Sequence, residues 1–195
     1  MLAAALVVLW APRPASAEWQ VKPFLGAAYG GNTTFLTYVP VPGVEQRNHG
    51  HTAFGVSGLW LSEIFGLEGD VGHTSGFFEG SDAPLVIDSG VTTATGNVVV
   101  AMPRRLAQYT LRPYLVGGAG VMHIRFDTVG GLQALSNLQA MDLGAGVTGF
   151  LTRRVGLSWD VRYFRSIDRT REQGSSFGSE HLSFWRVNMA VAIRL

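Results

Sequence analysis

The stretch "WRVNMAVAIRL" alternates strictly between two kinds of residue, and this alternation constrains the fold more than any other feature of the chain. Its larger apolar residues share one parity: Trp185, Val187, Met189, Val191, Ile193 and Leu195. Arg186, Asn188 and Arg194 fall on the other parity. A period of two is that of a β-strand with one apolar face. The stretch is therefore predicted to be an amphipathic strand that stays regular up to Leu195.

Seven earlier stretches show the same period. They are "WQVKPFLGAAY", "FGVSGLW", "IFGLEGDVG", "TGNVVVAM", "RPYLVGGAGVMHIRF", "MDLGAGVTGFL" and "VGLSWDVRYF". After residue 17, no run approaches the 18 or so consecutive apolar residues of a membrane helix, and no segment keeps a 3.6-residue apolar stripe. The pattern predicts an all-β chain of eight strands.

The connections between these strands alternate in length. Short connections lie around Ser62 and Glu63, at "PRRLAQ" and at "TRR", whereas "GNTTFLTYVPVPGVEQRNHG", "SGFFEGSDAPLVIDSG", "DTVGGLQALSN" and "SIDRTREQGSSFGSE" are long. All short turns therefore fall at one end and all long loops at the other, as in transmembrane β-barrels. We predict an eight-stranded antiparallel up-and-down transmembrane β-barrel. Such a barrel has no free edge because its last strand pairs with its first.

The charged side chains fall on the parity opposite to the large apolar ones, which predicts lipid outside and a polar lumen. A soluble lipocalin-like or avidin-like barrel would reverse this arrangement, and alternation alone does not say which face is inside. Aromatic residues near the ends of the apolar face favour the membrane barrel, since such barrels carry aromatic girdles. The predicted girdle contains Trp19, Tyr29, Trp60, Tyr114, Phe126, Trp159, Tyr163 and Trp185.

The first 17 residues read as a secretory signal peptide. An apolar run from Leu2 to Trp10 is followed by a Pro-containing break and by Ala15-Ser16-Ala17, the small-x-small pattern of a cleavage site. The run is too short to span a bilayer. We therefore predict a signal peptide over 1–17 and a barrel domain over 18–195, located in the bacterial outer membrane. The net charge of +1 gives no indication of a nucleic-acid partner.

Three stretches resemble a known family. "RPYLVGGAGVMHI" is similar to a Tyr-x-Gly-Gly-x-Gly central strand, "GLSWDVRYFRSI" is similar to an Arg-Tyr penultimate strand, and the final stretch is similar to a C-terminal assembly signal, with Leu195 where Phe is most usual. In these three stretches, the chain resembles the small OmpA-type eight-stranded outer-membrane β-barrels of Gram-negative bacteria. The resemblance implies the barrel fold but no single activity, because the family includes anchors, adhesins, small-solute pores and a few lipid-modifying enzymes.

Seven charged residues on the inward parity are predicted to meet near the middle of the lumen. They are Lys22, Glu68, Asp70, Asp142, Asp160, Arg162 and Arg186. The interior of an eight-stranded barrel is only just wide enough for side chains, and charges there must be paired. We interpret them as a salt-bridge network that fills the lumen. The alternative is a gate whose pairs exchange to open a narrow path.

Two further groups of residues have weaker functional patterns. His181 and Ser183 share a parity, as does the His-x-Ser pair of outer-membrane lipid A deacylases, but Phe184 stands where that family commonly has Asn. His49 and His51 lie at a loop-to-strand junction, and two His without nearby carboxylates make a poor metal site. We expect neither catalysis nor a metal or cofactor.

The sequence thus favours a structural or interaction barrel that acts through its long extracellular loops. A narrow pore for small solutes is the alternative, and a lipid A-modifying enzyme is a distant third. Expected partners are outer-membrane lipids and lipopolysaccharide, and the outer-membrane assembly machinery through the C-terminal strand. The protein is expected to be a monomer.

Overall fold

The structure, a computed structural model, describes residues 17–33, 50–77, 86–107, 111–128, 133–167 and 182–195. The strands are β1 (Glu18–Thr33), β2 (His51–Leu61), β3 (Phe65–Ser75), β4 (Val86–Ala101), β5 (Leu111–Thr128), β6 (Gln133–Phe150), β7 (Val155–Ser166) and β8 (Leu182–Arg194). Each pairs antiparallel with its neighbours along the chain, and β8 pairs with β1 to close the barrel. The predicted fold class is confirmed.

The register of the pairing fixes the tilt of the strands. The chain of paired residues that starts at Glu18 in β1 passes through every strand and returns to β1 at Ala28, ten residues further along. A stagger of this kind makes the strands of a closed barrel tilt, typically by about 35–45°. The same stagger brings residues from distant parts of the sequence to one height in the lumen.

The outer surface of the barrel is apolar. Outward side chains such as Leu143, Leu115, Leu67 and Leu25 are about 60% exposed or more, whereas the alternate residues of the same strands are buried in the lumen. A soluble protein rarely exposes so continuous an apolar surface. The wall therefore needs a nonpolar surrounding, which is the arrangement expected for lipid contact.

Among the residues that the structure describes, no helix has the length and apolar character needed to cross a bilayer.

Strands β4, β5 and β6 are longer than the sequence pattern indicates. "DTVGGLQALSN" was expected to be a long loop, but β5 ends at Thr128, β6 begins at Gln133, and Asp127 pairs with Gln133. Similarly, β4 begins at Val86, inside the expected second loop. These strands have 16 to 18 residues, although about 9 to 11 suffice to span a membrane. They continue past the apolar wall, where polar outward residues hide the alternation.

Candidate functional site: the filled lumen

The seven predicted inward charges lie together in the middle of the lumen, and we call them the charged layer. They come from β1, β3, β6, β7 and β8, and all are buried: Lys22, Glu68, Asp70, Asp142, Asp160, Arg162 and Arg186. Each projects inward because each occupies the inward parity of its strand. The closure of β8 on β1 brings Arg186 and Lys22 into the same layer as residues from the middle of the chain.

Arg162 is the centre of the charged layer. Its Nη1 atom is 2.7 Å from Glu68 Oε1, and its Nε atom donates to Asp160 Oδ1 at 3.0 Å. The same Nη1 atom is 3.8 Å from carboxylate oxygens of both Asp70 and Asp142. One guanidinium therefore faces four carboxylates on three strands, so its removal would leave several buried charges without a counter-ion.

The other two cations each have one close carboxylate and an aromatic neighbour. Arg186 donates from Nη2 to Asp70 Oδ1 at 2.6 Å, and its guanidinium lies 4.6 Å from the ring centroids of both Phe24 and Phe164. Lys22 Nζ is 3.1 Å from Glu68 Oε2 and 5.0 Å from the centroid of the Tyr114 ring. Ring faces attract cations, and the attraction grows when water is excluded.

Two amides complete the charged layer. Asn188 donates from Nδ2 to Asp160 Oδ1 at 2.9 Å. The Asn97 amide is best satisfied with its nitrogen 2.9 Å from Asp142 Oδ1 and its oxygen 3.2 Å from Arg162 Nη1, because the opposite orientation leaves it one long bond of 3.4 Å to Glu68. The Asn97 amide therefore bridges Asp142 and Arg162, whose direct ion pair is long at 3.8 Å.

An apolar cluster fills the lumen on the long-loop side of the charged layer, and we call it the outer apolar cluster. Its buried members are Ala28, Phe77, Val91, Met122, Ile124, Leu138, Ala140, Phe164, Leu182 and Phe184. The Phe164 and Phe184 rings stack with centroids 5.1 Å apart, and Phe77 packs edge-on against Phe184 at 5.1 Å. Side chains from six strands and from the residues after β3 thus cover the charged layer.

A second cluster, the inner apolar cluster, lies on the short-turn side. It consists of Leu59, Leu61, Val99, Ala101, Tyr114 and Val116. The Tyr114 hydroxyl lies 3.2 Å from Ser158 Oγ and donates to Asp160 Oδ2 at 3.2 Å. Tyr114 therefore joins the inner apolar cluster to the charged layer.

The two apolar clusters overturn part of the sequence interpretation. Tyr114 was predicted to lie in the outward girdle, on one parity with Val116, Met122 and Ile124, but all four are buried in the lumen. In β5 both parities are apolar or small, so alternation does not decide which face turns inward. The face is decided by packing, because the bulky residues fit the lumen space above and below the charged layer.

Inward glycines make room for the large lumen side chains. A Cβ atom at Gly72 would lie 2.2 Å from Arg186 Nη1, and one at Gly146 would lie 2.6 Å from the Tyr114 ring. Gly146 is also the residue opposite Tyr114 in the β5–β6 pairing. Small residues on one strand thus complement large residues on another, as native packing density requires.

An ion cluster closes the short-turn end of the lumen. The buried Glu18 carboxylate pairs with Arg194 Nε at 2.7 Å, with Arg112 Nη1 at 3.5 Å and with Arg104. Arg112 also donates to backbone carbonyls in two short connections, at Met102 (2.9 Å) and Ser62 (3.3 Å). Sequence reasoning missed this cluster, although Glu18 shares the inward parity of Lys22.

The outward aromatic residues lie mostly near the ends of the wall. Trp19 pairs with Trp60 near the short-turn end, and Tyr29 pairs with Trp185 near the other end. The Trp185 ring centroid is 5.0 Å from that of Tyr163.

Two further girdle predictions have different outcomes. Trp159 is exposed, but it pairs with Met189, midway between Trp185 and Ile193, so it lies at mid-height rather than near an end. Phe126 belongs to β5, and its side chain is outside the described part of the structure.

The weak His-x-Ser pattern and the His49 and His51 pattern are only partly described. His181 and His49 lie outside the described residues, whereas Ser183 is half-buried and pairs with Asn32 and Arg165. His51 contacts the Phe77 ring, with centroids 5.5 Å apart. Within the described ranges, no group of three or more His, Asp or Glu is arranged to hold a metal ion.

No protein-family model and no curated protein sequence matches this chain. Solved structures match it well, and they are small outer-membrane β-barrels. Neisserial surface protein A has a TM-score of 0.66 and 13% identity over 91% of this chain and 97% of its own. The N-terminal β-barrel domain of Pseudomonas aeruginosa OprF has a TM-score of 0.58 and 12% identity over 91% of this chain and 97% of its own. OprG of the same organism has a TM-score of 0.55 and 14% identity over 93% of this chain and 97% of its own.

The comparisons define the class of fold. At these identities they establish shared architecture, and the chain has the fold of the small eight-stranded outer-membrane β-barrels. The structural resemblance predicted from the three sequence stretches is confirmed.

Proposed function

We propose that this protein is an integral outer-membrane barrel with a closed lumen, which acts as a structural or interaction protein through its long extracellular loops. The observation that supports the proposal is the succession of buried side-chain groups along the lumen in the described part of the chain. An ion cluster around Glu18, the inner apolar cluster, the charged layer and the outer apolar cluster follow one another along the barrel. A filled barrel cannot conduct without moving side chains, so the surface that remains for function is the loops.

The energetics of the charged layer support a closed state. Charges removed from water are tolerated when they are paired, and breaking a buried pair typically costs about 3 to 5 kcal/mol. Four carboxylates and three cations contact one another here, with Arg162 as the shared partner. An open path would have to separate several of these pairs at once. The alternative function, a narrow pore for small solutes, requires that separation.

The outer-membrane location is supported by the fold, the apolar wall and the signal-like residues 1–17. Its test is to express the full chain with its leader in a Gram-negative host. The mature protein is expected to begin at Glu18, to fractionate with the outer membrane and to migrate faster on gels before boiling than after it, because a closed barrel resists detergent. Recovery as a soluble periplasmic protein would contradict the proposal.

The partners that we propose are those that this architecture would contact. The C-terminal strand pairs with β1 as far as Arg194↔Gln20, and this final strand is the segment that we propose the outer-membrane assembly machinery recognises. Lipids and lipopolysaccharide surround the wall, and the barrel is proposed to be a monomer. One similar protein, Neisserial surface protein A, is named as a surface protein, which fits a role for exposed loops. Protease treatment of whole cells tests the orientation, since cleavage is expected in the long connections and not in the short turns.

We propose no catalytic activity. Ser183 is half-buried between β1 and β7, and the residue after it, Phe184, packs in the outer apolar cluster. A Ser183→Ala variant is expected to leave the acylation of the host's lipid A unchanged, as mass spectrometry of extracted lipid A would show. A change that depends on Ser183 would support the enzyme alternative.

A further inference from the structure

The two ends of the barrel carry opposite charge in their connections. The short connections, 62–64, 102–110 and 151–154, contain four arginines and one glutamate. The connections at the opposite end, 34–50, 76–85, 129–132 and 167–181, contain six acidic residues and three arginines. The chain as a whole has a net charge of only +1, so this is a separation of charge along the barrel axis and not a general basicity.

The short-turn arginines lie in two of the three short connections, and we call them the collar. Arg104 and Arg105 lie in the β4–β5 connection, and Arg153 and Arg154 lie in the β6–β7 connection, all exposed. Arg104 reaches inward to Glu18. For the other three arginines, no carboxylate among the described residues lies within ion-pair distance. Their guanidinium groups are therefore available to an external anion.

Exposed leucines place this collar at the edge of the apolar wall. Leu106 is 67% exposed and Leu151 is 75% exposed, and each lies within three residues of the collar arginines. An arginine beside an exposed leucine at the end of a lipid-facing wall lies at the depth where acyl chains meet headgroups. Guanidinium groups bind phosphate with paired hydrogen bonds.

We infer that the collar formed by Arg105, Arg153 and Arg154 binds the phosphate headgroups of anionic phospholipids in the leaflet next to the short turns. The inference rests on the proposed membrane location and orientation. A negatively charged leaflet attracts each nearby arginine with an energy that corresponds to roughly a fivefold gain in binding.

The test uses the purified mature protein, folded in a zwitterionic detergent, with phosphatidylglycerol or phosphatidylcholine added. Native mass spectrometry counts the lipids that stay bound. We expect at least tenfold more retained phosphatidylglycerol than phosphatidylcholine. The triple variant Arg105→Gln, Arg153→Gln, Arg154→Gln is expected to lose this preference, and the corresponding triple Lys variant is expected to keep most of it.

Three controls make the outcome decisive. Arg165→Gln removes an exposed outward arginine at the other end of β7 and is expected to leave the preference unchanged. Inorganic phosphate at the same concentration is expected not to displace the lipid; displacement would point to a site for free anions and would overturn the lipid assignment. Heat-modifiable migration on gels is the third control, and its failure would contradict the proposed membrane barrel. Equal retention of the two lipids by an unmodified protein that passes this control would overturn the inference.

Discussion

The charged layer and the outer apolar cluster fill neighbouring parts of one lumen by different physical means. In the charged layer, Arg162 and its carboxylates are held by ion pairs of 2.7 to 3.8 Å, which demand a definite geometry. In the outer apolar cluster, stacked rings such as those of Phe164 and Phe184 fill space without directional bonds. The proposed closure of this lumen therefore rests on two different interactions, charge pairing and apolar packing.

The largest expected effect comes from breaking the charge pairing. Arg162→Ala is expected to lower the free energy of unfolding by about 4 to 5 kcal/mol, the upper part of the range for buried pairs. The reason is that it leaves several buried carboxylates without a counter-ion. Urea unfolding in lipid vesicles measures this value. Arg165→Ala, three residues along β7 on the exposed face, is the matched control, and its expected effect is below about 0.5 kcal/mol. Similar losses of unfolding free energy in both variants would show that charge pairing in the lumen does not stabilise the barrel.

Removing a ring from the outer apolar cluster tests whether apolar packing in the lumen stabilises the barrel. Phe184→Ala is expected to lower the free energy of unfolding by about 3 to 4 kcal/mol, because the lost contacts with Phe77 and Phe164 leave a cavity. Phe184→Leu retains most of the volume and is expected to lose less than half as much. A near-zero effect of the alanine variant would mean that the cluster is not packed in the membrane.

The lipid-facing wall provides a third test, which compares two depths on the outward face of β7. Val161→Arg is expected to lower the free energy of unfolding by roughly 2 to 3 kcal/mol, because Val161 is exposed to lipid well inside the wall. Val155→Arg, at the short-turn end of the same face, is expected to cost at most about 1 kcal/mol. Equal costs at the two positions would contradict the proposed depth of β7 in the bilayer.

The smallest expected effect is at the boundary between the charged layer and the inner apolar cluster. Tyr114→Phe keeps the ring but removes the hydroxyl that donates to Asp160, so we expect a loss of about 1 kcal/mol. Tyr29→Phe, on the exposed wall, is the control. If Tyr29→Phe lowered the free energy of unfolding more than Tyr114→Phe did, the Tyr114 hydroxyl would not stabilise the lumen, and the outward position that the sequence indicates for Tyr114 would be favoured.

The charged layer could be predicted from the sequence, whereas the apolar clusters could not. Asp160 and Arg162 alternate with Trp159, Val161 and Tyr163, so the strict period assigns each a face. In β5, Leu115 and Val116 are both apolar, and only the packed barrel shows that Val116 turns inward. Likewise, the sequence gives no sign that Phe164 and Phe184, which share the inward parity of the arginines, meet across the β7–β8 pair.

The lengths of β4 to β6 were underestimated for a related reason. Alternation marks the part of a strand that contacts lipid, and it fades where polar residues such as His123 and Asn137 face water on the outside. These two side chains hydrogen-bond across β5 and β6 at 2.7 Å, beyond the apolar wall. The strands continue because backbone pairing does not depend on an apolar face.

Single-channel recording in planar bilayers tests the central claim, that the lumen is closed, most directly. The purified unmodified barrel is expected to show little or no current at modest voltage, and Arg162→Ala is expected to raise leak currents in the fraction that folds. Frequent and stable openings of the unmodified protein would contradict the closed lumen and would favour the small-solute pore.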